Sequence, residues 1–468
     1  MTHQFHPSIL RAYDIRGIYE QTLNDQDAYF IGKAFASFLI NHNKYLVTVG
    51  YDGRKSSPSL KEHLIKGLIE SGINVTEIGL GPTPMLYFSI YHLNVDAGIM
   101  VTGSHNPPTH NGFKIMLKDR PFYGEDITKL SKIVDKGNFK EGKGKLEKID
   151  ISNDYVERIV SDCNLASQGQ LVDEIDEFTP RLTIAWDAGN GAAGEIMKRI
   201  SARLKTKDFL LFEKIDGDFP NHHPDPTVPK NLEDLRRTVL ENNCDLGIAF
   251  DGDGDRIGVM DNEGEILWGD QLMIFFAREI LEECPSTAII ADVKASQTLF
   301  DEIKKSGGKP LMWKTGHSLI KAKMKETKSP LAGEMSGHIF FADRYYGFDD
   351  ALYAAIRIIN IISASGQRLS DLKKMLPKTF STPEIRIDCD EKQKFEIINQ
   401  LKKQLIEEDI AFNDIDGIRA SNEYGWWLIR ASNTQAALVA RCEAKSEKDL
   451  EKLKTDLEQR LKKFSLDI

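Results

Sequence analysis

Short apolar runs alternate with helical patterns along most of the chain, and four of the runs close on an aspartate. They are Tyr45 to Asp52, Leu182 to Asp187, Leu246 to Asp251 and Ala288 to Asp292. Before and between them, apolar residues recur at helical spacing over Asp27 to Leu39, Ser59 to Ser71 and Leu232 to Asn242. This rhythm predicts βα units in mixed or parallel sheets. Ligands in such sheets bind beyond the carboxyl ends of the strands. The loops after the aspartates are therefore expected on ligand-facing edges. A fifth run, Ala97 to Val101, predicts a buried strand, and the Gly and Pro that follow make a loop. The most apolar helical pattern, Ala351 to Ala364, carries Arg357 and Asn360 and is expected to be amphipathic rather than membrane-spanning.

Boundaries follow from shifts in this pattern. Lys136 to Lys148, rich in Lys, Gly and Glu, predicts an exposed connection, and a new strand-helix series begins near Arg181. Residues 216–226 form a Pro-rich loop expected to cross the surface in an ordered way. Gln367 to Pro377 leads into a region of different character. There, strands at Glu384 to Asp388, Trp426 to Arg430 and Ala437 to Glu443 flank helices at Glu391 to Glu408 and Ser446 to Phe464, a small α+β domain whose last helix shows a solvated face. The expected division is residues 1–150, 151–260 and 261–370 as α/β domains, with 371–468 as the α+β domain. The length of 468 residues fits three or four domains.

Composition narrows the class. Hydrophobic residues at 41% and charged residues at 28% are ordinary for a soluble protein. A net charge of −10 makes nucleic acid a poor partner, so anions must bind where Arg and Lys gather locally. Five scattered cysteines without a CxxC fit a reducing cytoplasm. The start shows no basic region followed by an apolar one, so no signal peptide is expected. Asn74-Val75-Thr76 matches a glycosylation sequon, which has no role without export.

Two loops carry candidate chemistry. Val101 to Pro108 reads V-T-G-S-H-N-P-P and places Ser104 on a stiff loop after a strand. It is not a hydrolase elbow, because Asn106 stands where the second glycine would be. Ser, Asn and Pro also make ordinary turns, so this loop alone leaves catalysis and a plain turn both open. Residues 248–256 run from an apolar strand into Asp251, Asp253 and Asp255, alternating with glycines, and then Arg256. Three carboxylates so close repel one another unless a cation sits among them, and hard oxygen ligands suit Mg²⁺ or Ca²⁺. An EF-hand fails on spacing, since Arg256 and Asn262 occupy its Gly and Glu positions. The alternative is a solvated acidic turn. The strand before and the arginine after favour a site.

With three further motifs the chain resembles the α-D-phosphohexomutases, most closely the bacterial phosphomannomutase/phosphoglucomutase branch. The five motifs, in order, are Arg11-Ala-Tyr-Asp-Ile-Arg-Gly17, the Ser104 loop, the triple-aspartate loop, Gly333-Glu-Met-Ser-Gly-His338 and Arg430-Ala-Ser-Asn-Thr434. They span nearly the whole chain. The resemblance implies an α/β fold of four domains around a central cleft: three similar mixed-sheet domains and a smaller, mobile C-terminal α+β domain. It implies a phosphoserine at Ser104 that exchanges phosphate with a hexose 1- or 6-phosphate through a hexose 1,6-bisphosphate, which turns around in the cleft. It also implies one Mg²⁺ held by Ser104, Asp251, Asp253 and Asp255.

Other roles come with the same resemblance. Lys114, Arg16 and Arg256 are expected at the transferring phosphate, and His317 near the transferred proton. Tyr13, Lys294, Thr315 and Gly316 line the cleft. Glu334, Met335, Ser336, Gly337 and His338 form the loop that reads sugar hydroxyls, with His338 either a ligand or a brace. His105 braces the serine loop. Arg430, Ser432, Asn433 and Thr434 cradle the phosphate that does not react. After them come Gln435 and Ala436, where many relatives have an acidic or small residue and then proline, which bears on the stiffness of that loop. Hexose phosphates are the expected partners, with no nucleic acid or membrane, and a monomer is the expected unit. Phosphoglucosamine mutase is the alternative, and Met335 favours the mannose/glucose branch. A non-catalytic sugar-phosphate regulator is the distant alternative; the presence of the serine and all three aspartates argues against it.

Overall fold

The computed structural model describes residues 3–165, 182–390, 393–432 and 436–466. Arg181, Glu391, Asn433, Thr434 and Gln435 therefore lie outside the described residues. The aspartate-terminated runs form strands at Leu46–Tyr51, Thr183–Asp187, Leu246–Phe250 and Ala288–Asp292. Their aspartates, Asp52, Asp187, Asp251 and Asp292, are all buried at the strand ends. Each must therefore find donors or a cation.

Four sheets result. The first runs Ile15–Ile18, His110–Leu117, Ala97–Val101, Leu46–Tyr51, Asn74–Leu80 and Leu146–Lys148. The second runs Ile266–Leu267, Ile257–Asp261, Leu246–Phe250, Thr183–Asp187 and Lys207–Leu211. The third runs Lys309–Trp313, Ala288–Asp292, Leu331–Gly333 and Ile339–Phe341. In each, a strand of the parallel portion enters a short loop and the next strand returns antiparallel beside it. The pairs are Ala97–Val101 with His110–Leu117, Leu246–Phe250 with Ile257–Asp261, and Leu331–Gly333 with Ile339–Phe341. The three connecting loops hold Ser104, the triple aspartate and Glu334. The fourth sheet is antiparallel, with Gly425–Ala431 and Ala437–Ala444 at its centre and helices Gln393–Glu407 and Glu447–Lys462 packed on it. The outer face of the last helix is solvated, while Leu453, Leu457 and Leu461 enter the core.

Three features depart from the sequence pattern. Leu146–Lys148, inside the expected exposed connection, pairs parallel with Asn74–Leu80. Gly144 permits this, since a Cβ there would fall 1.8 Å from the Ile73 carbonyl oxygen. The second sheet extends to Leu267, beyond the expected division at residue 260. Helix Ala351–Ser365 is not amphipathic on a surface but buried almost all round. Its polar residues are satisfied inside: Arg357 pairs with Asp343 and Glu279, both at 2.9 Å, and Asn360 donates to the Asp162 carbonyl at 2.7 Å. One continuous apolar cluster joins this helix to the second and third domains and to helix Thr83–His92 of the first. The α/β units are thus welded side by side. No helix among the described residues is long and apolar enough to cross a membrane.

Residues 216–226 have neither helix nor strand and run from the first domain to the triple-aspartate loop. A Cβ on Gly217 would lie 2.6 Å from the Gly53 carbonyl oxygen, and the Pro224 carbonyl accepts from Gly252 N–H at 3.1 Å. His222 anchors this crossing. One ring nitrogen lies 3.0 Å from the His223 carbonyl and the other 3.0 Å from Asp187 Oδ2, and both partners are acceptors. Burial favours the neutral ring, but the bond and charge of Asp187 outweigh it and hold His222 above the ordinary 6.5. A group raised on folding stabilises below its unfolded pKa, and that contribution fades as pH rises through the folded value. His222→Gln should therefore cost most stability near pH 6, with the gap to wild type narrowing toward pH 9. Urea unfolding at both pH values checks this; a gap that is constant or widens with pH contradicts the charged anchor.

Candidate active site

Strand Ala97–Val101 is wholly buried and delivers Ser104, 1% exposed, into the space between the first two domains. The loop holds Ser104 at φ +50°, a left-handed conformation that a side-chain-bearing residue adopts only when its surroundings enforce it. The Ser104 hydroxyl donates to Asp251 Oδ2 at 3.1 Å, and its oxygen lies 3.2 Å from His105 Nδ1. A Cβ on Gly252 would fall 2.4 Å from the Ser104 carbonyl oxygen, so glycine is needed where the two loops meet.

Asp251, Asp253 and Asp255 are completely buried, and one oxygen from each lies within 4.8 Å of the others. Asp251 Oδ1 accepts from the backbone N–H of Asp255 and Arg256 at 3.0 and 3.1 Å. Lys114, 3% exposed, reaches across from strand His110–Leu117 and donates to Asp253 Oδ2 at 2.6 Å and also to Asp255. Thr83 donates to the same Asp253 oxygen. Burial and the carboxylates of Asp255 and Asp253 push Asp251 well above the usual range. Burial acts on Asp253 likewise, but Lys114 outweighs it and holds Asp253 low. Asp253 Oδ1 and Asp255 Oδ1 remain buried without a hydrogen-bond partner. Unpartnered buried carboxylate oxygens are costly. Their grouping fits a hard divalent cation, for which oxygen donors are the natural set.

The Glu334–His338 loop closes over this cluster. Arg256 Nε donates to His338 Nε2 at 2.9 Å. His338 Nδ1 lies 3.1 Å from Asp349 Oδ2 and 3.6 Å from Asp255 Oδ1, without an aligned hydrogen bond to either. Asp349 also pairs with Lys321 at 2.8 Å, and Lys321 Nζ lies 3.2 Å from His317 Nδ1. Burial and the Lys321 charge drive His317 well below its ordinary value, so the ring is neutral. Its Nδ1 also lies 3.8 Å from Asp349 Oδ2, and its Nε2 is buried without a hydrogen-bond partner. Glu334 accepts the backbone N–H of Gly316. Gly337, at φ +93°, allows the loop to pass 2.3 Å, in Cβ terms, from the Ile257 carbonyl oxygen.

A second cluster of positive charge lies where the third and fourth domains meet. Lys294 pairs with Glu384 at 3.1 Å and lowers its pKa to about 2. Asp292, raised to about 6 by burial against the pull of Lys294, accepts from Thr315 Oγ1 at 3.2 Å and Met335 N–H at 3.2 Å. Asp416 joins the two domains, taking Thr315 N–H at 3.0 Å and Arg430 Nε at 2.9 Å. Tyr13 of the first domain donates to the Thr315 carbonyl at 2.8 Å, with its ring over Gly316.

Four family models match the chain in succession. They describe phosphoglucomutase/phosphomannomutase alpha/beta/alpha domain I over residues 7–141, domain II over 153–264, domain III over 268–380 and the C-terminal domain over 384–460. The chain belongs to the phosphoglucomutase/phosphomannomutase family. It is 44% identical to a phosphomannomutase/phosphoglucomutase of Pseudomonas putida over 447 residues, 96% of this chain and 94% of that protein. It is 41% identical to a phosphoglucomutase of Neisseria gonorrhoeae, with 95% of each covered. A solved phosphoglucomutase/phosphomannomutase family protein from Burkholderia thailandensis matches with a TM-score of 0.90 at 40% identity, covering 99% of this chain and 98% of that one.

In this family member the fold gathers Ser104, Lys114, Asp251, Asp253, Asp255, Arg256 and His338 at one end. Arg16 lies within electrostatic reach of Asp253 and Arg256 and pairs with Asp14 at 2.6 Å. Lys294, Tyr13, Thr315, Gly316 and Arg430 form the other end, and Glu334 lies between, acting on both Lys294 and Arg256. Met335 and Ser336 are half-buried in the connecting loop. Ser432 is buried beside the fourth-domain sheet, whereas Asn433 and Thr434 lie outside the described residues. Sequence reasoning missed Arg54, Thr83, Lys321, Asp349 and Asp416. Only Arg54 had a signal, in Asp52-Gly-Arg after an aspartate-terminated strand.

The contact between the serine and aspartate loops is a sensitive point. Gly252→Ala would force them apart at the Ser104 carbonyl. A displacement of about 1 Å between reacting groups costs on the order of 100-fold in rate. Turnover should fall by about that factor, while unfolding shifts by only about 1–3 kcal/mol, the usual cost of overpacking. Full turnover in this variant would contradict the required loop contact.

Proposed function

We propose that this hexose-phosphate mutase carries its phosphate on Ser104 and holds a magnesium ion on Asp251, Asp253 and Asp255. The observation that carries the reading is the 3.1 Å contact of the Ser104 hydroxyl with Asp251, beside two unpartnered carboxylate oxygens. When bound, the cation would neutralise phosphate charge and polarise the phosphorus. A phosphoserine adds about −1.5 to −2 charges, so Lys114, Arg16 and Arg256 serve as its fixed counter-charges.

Phosphate passes from Ser104 to the free 1- or 6-hydroxyl of a mannose or glucose phosphate. The serine Oγ–phosphorus bond breaks, the sugar oxygen–phosphorus bond forms, and the hydroxyl proton moves to Oγ. The hexose 1,6-bisphosphate turns over and the reverse transfer returns its other phosphate to Ser104. His317, with a buried Nε2 that has no protein partner, is suited to the sugar oxygen that gains or loses hydrogen. Glu334, Ser336 and His338 read sugar hydroxyls, with Met335 and Gly337 shaping their loop. Arg430, Ser432, Asn433 and Thr434, with Lys294, Tyr13 and Thr315, grip the remote phosphate; Arg430 offers the forked donor that suits it. The five free cysteines support a cytoplasmic setting.

Ser104→Ala should abolish nearly all mutase activity, and intact mass should lose a single phosphate adduct. Coupled assays on mannose 1-phosphate, glucose 1-phosphate and glucosamine 1-phosphate give the substrate class. Turnover of the first two is expected, and preference for the third would reassign it. A fully active Ala variant would sink the phosphoserine scheme.

A further inference from the structure

One buried arginine outside this scheme bonds four carbonyls of the serine loop. The Arg54 side chain is wholly buried. Its Nη2 donates to the carbonyls of Ser104 and Asn106, both at 2.6 Å. Its Nη1 donates to the carbonyls of Pro107 and His110 at 2.5 and 3.0 Å, and its Nε to Asp52 Oδ2 at 3.1 Å. All five guanidinium N–H groups are thus committed. Asp52 completes the frame, taking Thr102 Oγ1 at 2.7 Å, Gly103 N–H at 3.1 Å and Ser57 Oγ at 2.5 Å. Gly103 makes room for it: a Cβ there would lie 2.5 Å from the guanidinium.

Four converging carbonyls form a site that only a planar, multiply donating cation fills. A lysine has three donors on one point and cannot span them. Through the Ser104 carbonyl, the guanidinium fixes the residue held at φ +50°. That conformation directs Oγ at Asp251. The opposite side of the same carbonyl rests on Gly252. Arg54 therefore sets the aim of the hydroxyl from behind without facing the substrate.

We propose that Arg54 is the positioning residue of the phosphoryl carrier, holding the Ser104 loop in one geometry whether or not the serine is phosphorylated. This rests on Ser104 being the carrier. The geometry matters most after the first transfer, when the free hydroxyl must recapture phosphate from a bisphosphate that is otherwise free to leave. Loosening the loop slows recapture and leaves substrate grip at the far end of the cleft untouched.

The test compares Arg54→Lys and Arg54→Ala with wild type in steady-state turnover, with released hexose bisphosphate counted per turnover. Turnover number should fall about 100-fold, as expected for a misplaced reacting group. KM for the hexose phosphate should change by less than about threefold, and bisphosphate release should rise. Millimolar methylguanidinium should restore part of the Arg54→Ala turnover, while methylammonium should not. Undiminished turnover in folded Arg54→Lys, or a rise in KM alone, overturns the proposal. If Arg54→Ala does not fold, Arg54→Lys decides by the KM split and the bisphosphate count. Intact mass of the wild type after incubation with hexose 1,6-bisphosphate separates the two ideas: a chain that takes up no phosphate at Ser104 refutes the carrier, whereas a phosphorylated one with an indifferent Arg54 refutes only the positioning role.

Discussion

Three carboxylates with no solvent exposure cannot share one loop unless positive charge meets them, and that requirement organises the molecule. Part of the charge is Lys114, delivered from a different domain and buried with them. Thr83 and Ser104, also of the first domain, supply hydrogen bonds to the same group. The first and second domains are therefore registered against each other by electrostatics as well as by the apolar cluster around helix Ala351–Ser365. Two carboxylate oxygens stay unpartnered even so. A divalent cation is the chemistry that satisfies them, and a phosphate on the adjacent serine is the anion such a cation would attract.

The fold uses one device three times. A buried strand enters a short loop and returns antiparallel, and the loop carries Ser104, the triple aspartate or Glu334. The fourth domain is attached differently. Arg419 donates to the Val293 and Ala295 carbonyls at 2.7 and 2.8 Å and lies 3.7 Å over the Trp426 ring, and Arg441 donates to the Lys294 carbonyl at 2.5 Å. Among the described residues, Val293, Trp426 and Leu428 form a small apolar cluster there, with Met312 and Ile415 against it. Asp416 then ties Arg430 to the Thr315 loop, so the placement of Arg430 depends on polar contacts between two domains.

Much of this was legible in the sequence. The aspartate-terminated strands and the helices between them follow from apolar spacing, and the serine and triple-aspartate loops follow from their position after such strands. The returning strands were not legible. His110–Leu117 opens with His-Asn-Gly and is buried on both faces, Lys114 included, so its sequence lacks the apolar run that marks the other buried strands. Arg54 stands in a turn-like Asp-Gly-Arg-Lys-Ser-Ser stretch, and its burial depends on carbonyls some 50 residues away in the chain. Asp416 and Asp349 act on partners about 100 and 30 residues distant, a relation that local pattern does not encode. The helix at Ala351–Ser365 misled because its charge is neutralised inside the protein rather than by water.

The central claim is that the serine phosphate and the cation of the aspartate cluster share one site. The most direct measurement is the phosphorus NMR line of the phosphoserine as Mn²⁺ replaces Mg²⁺. A paramagnetic ion on Asp251, Asp253 and Asp255 should broaden that line beyond detection at one equivalent, and chelation should restore it. A phosphoserine line that stays sharp while one Mn²⁺ is bound would place the cation elsewhere and contradict the account.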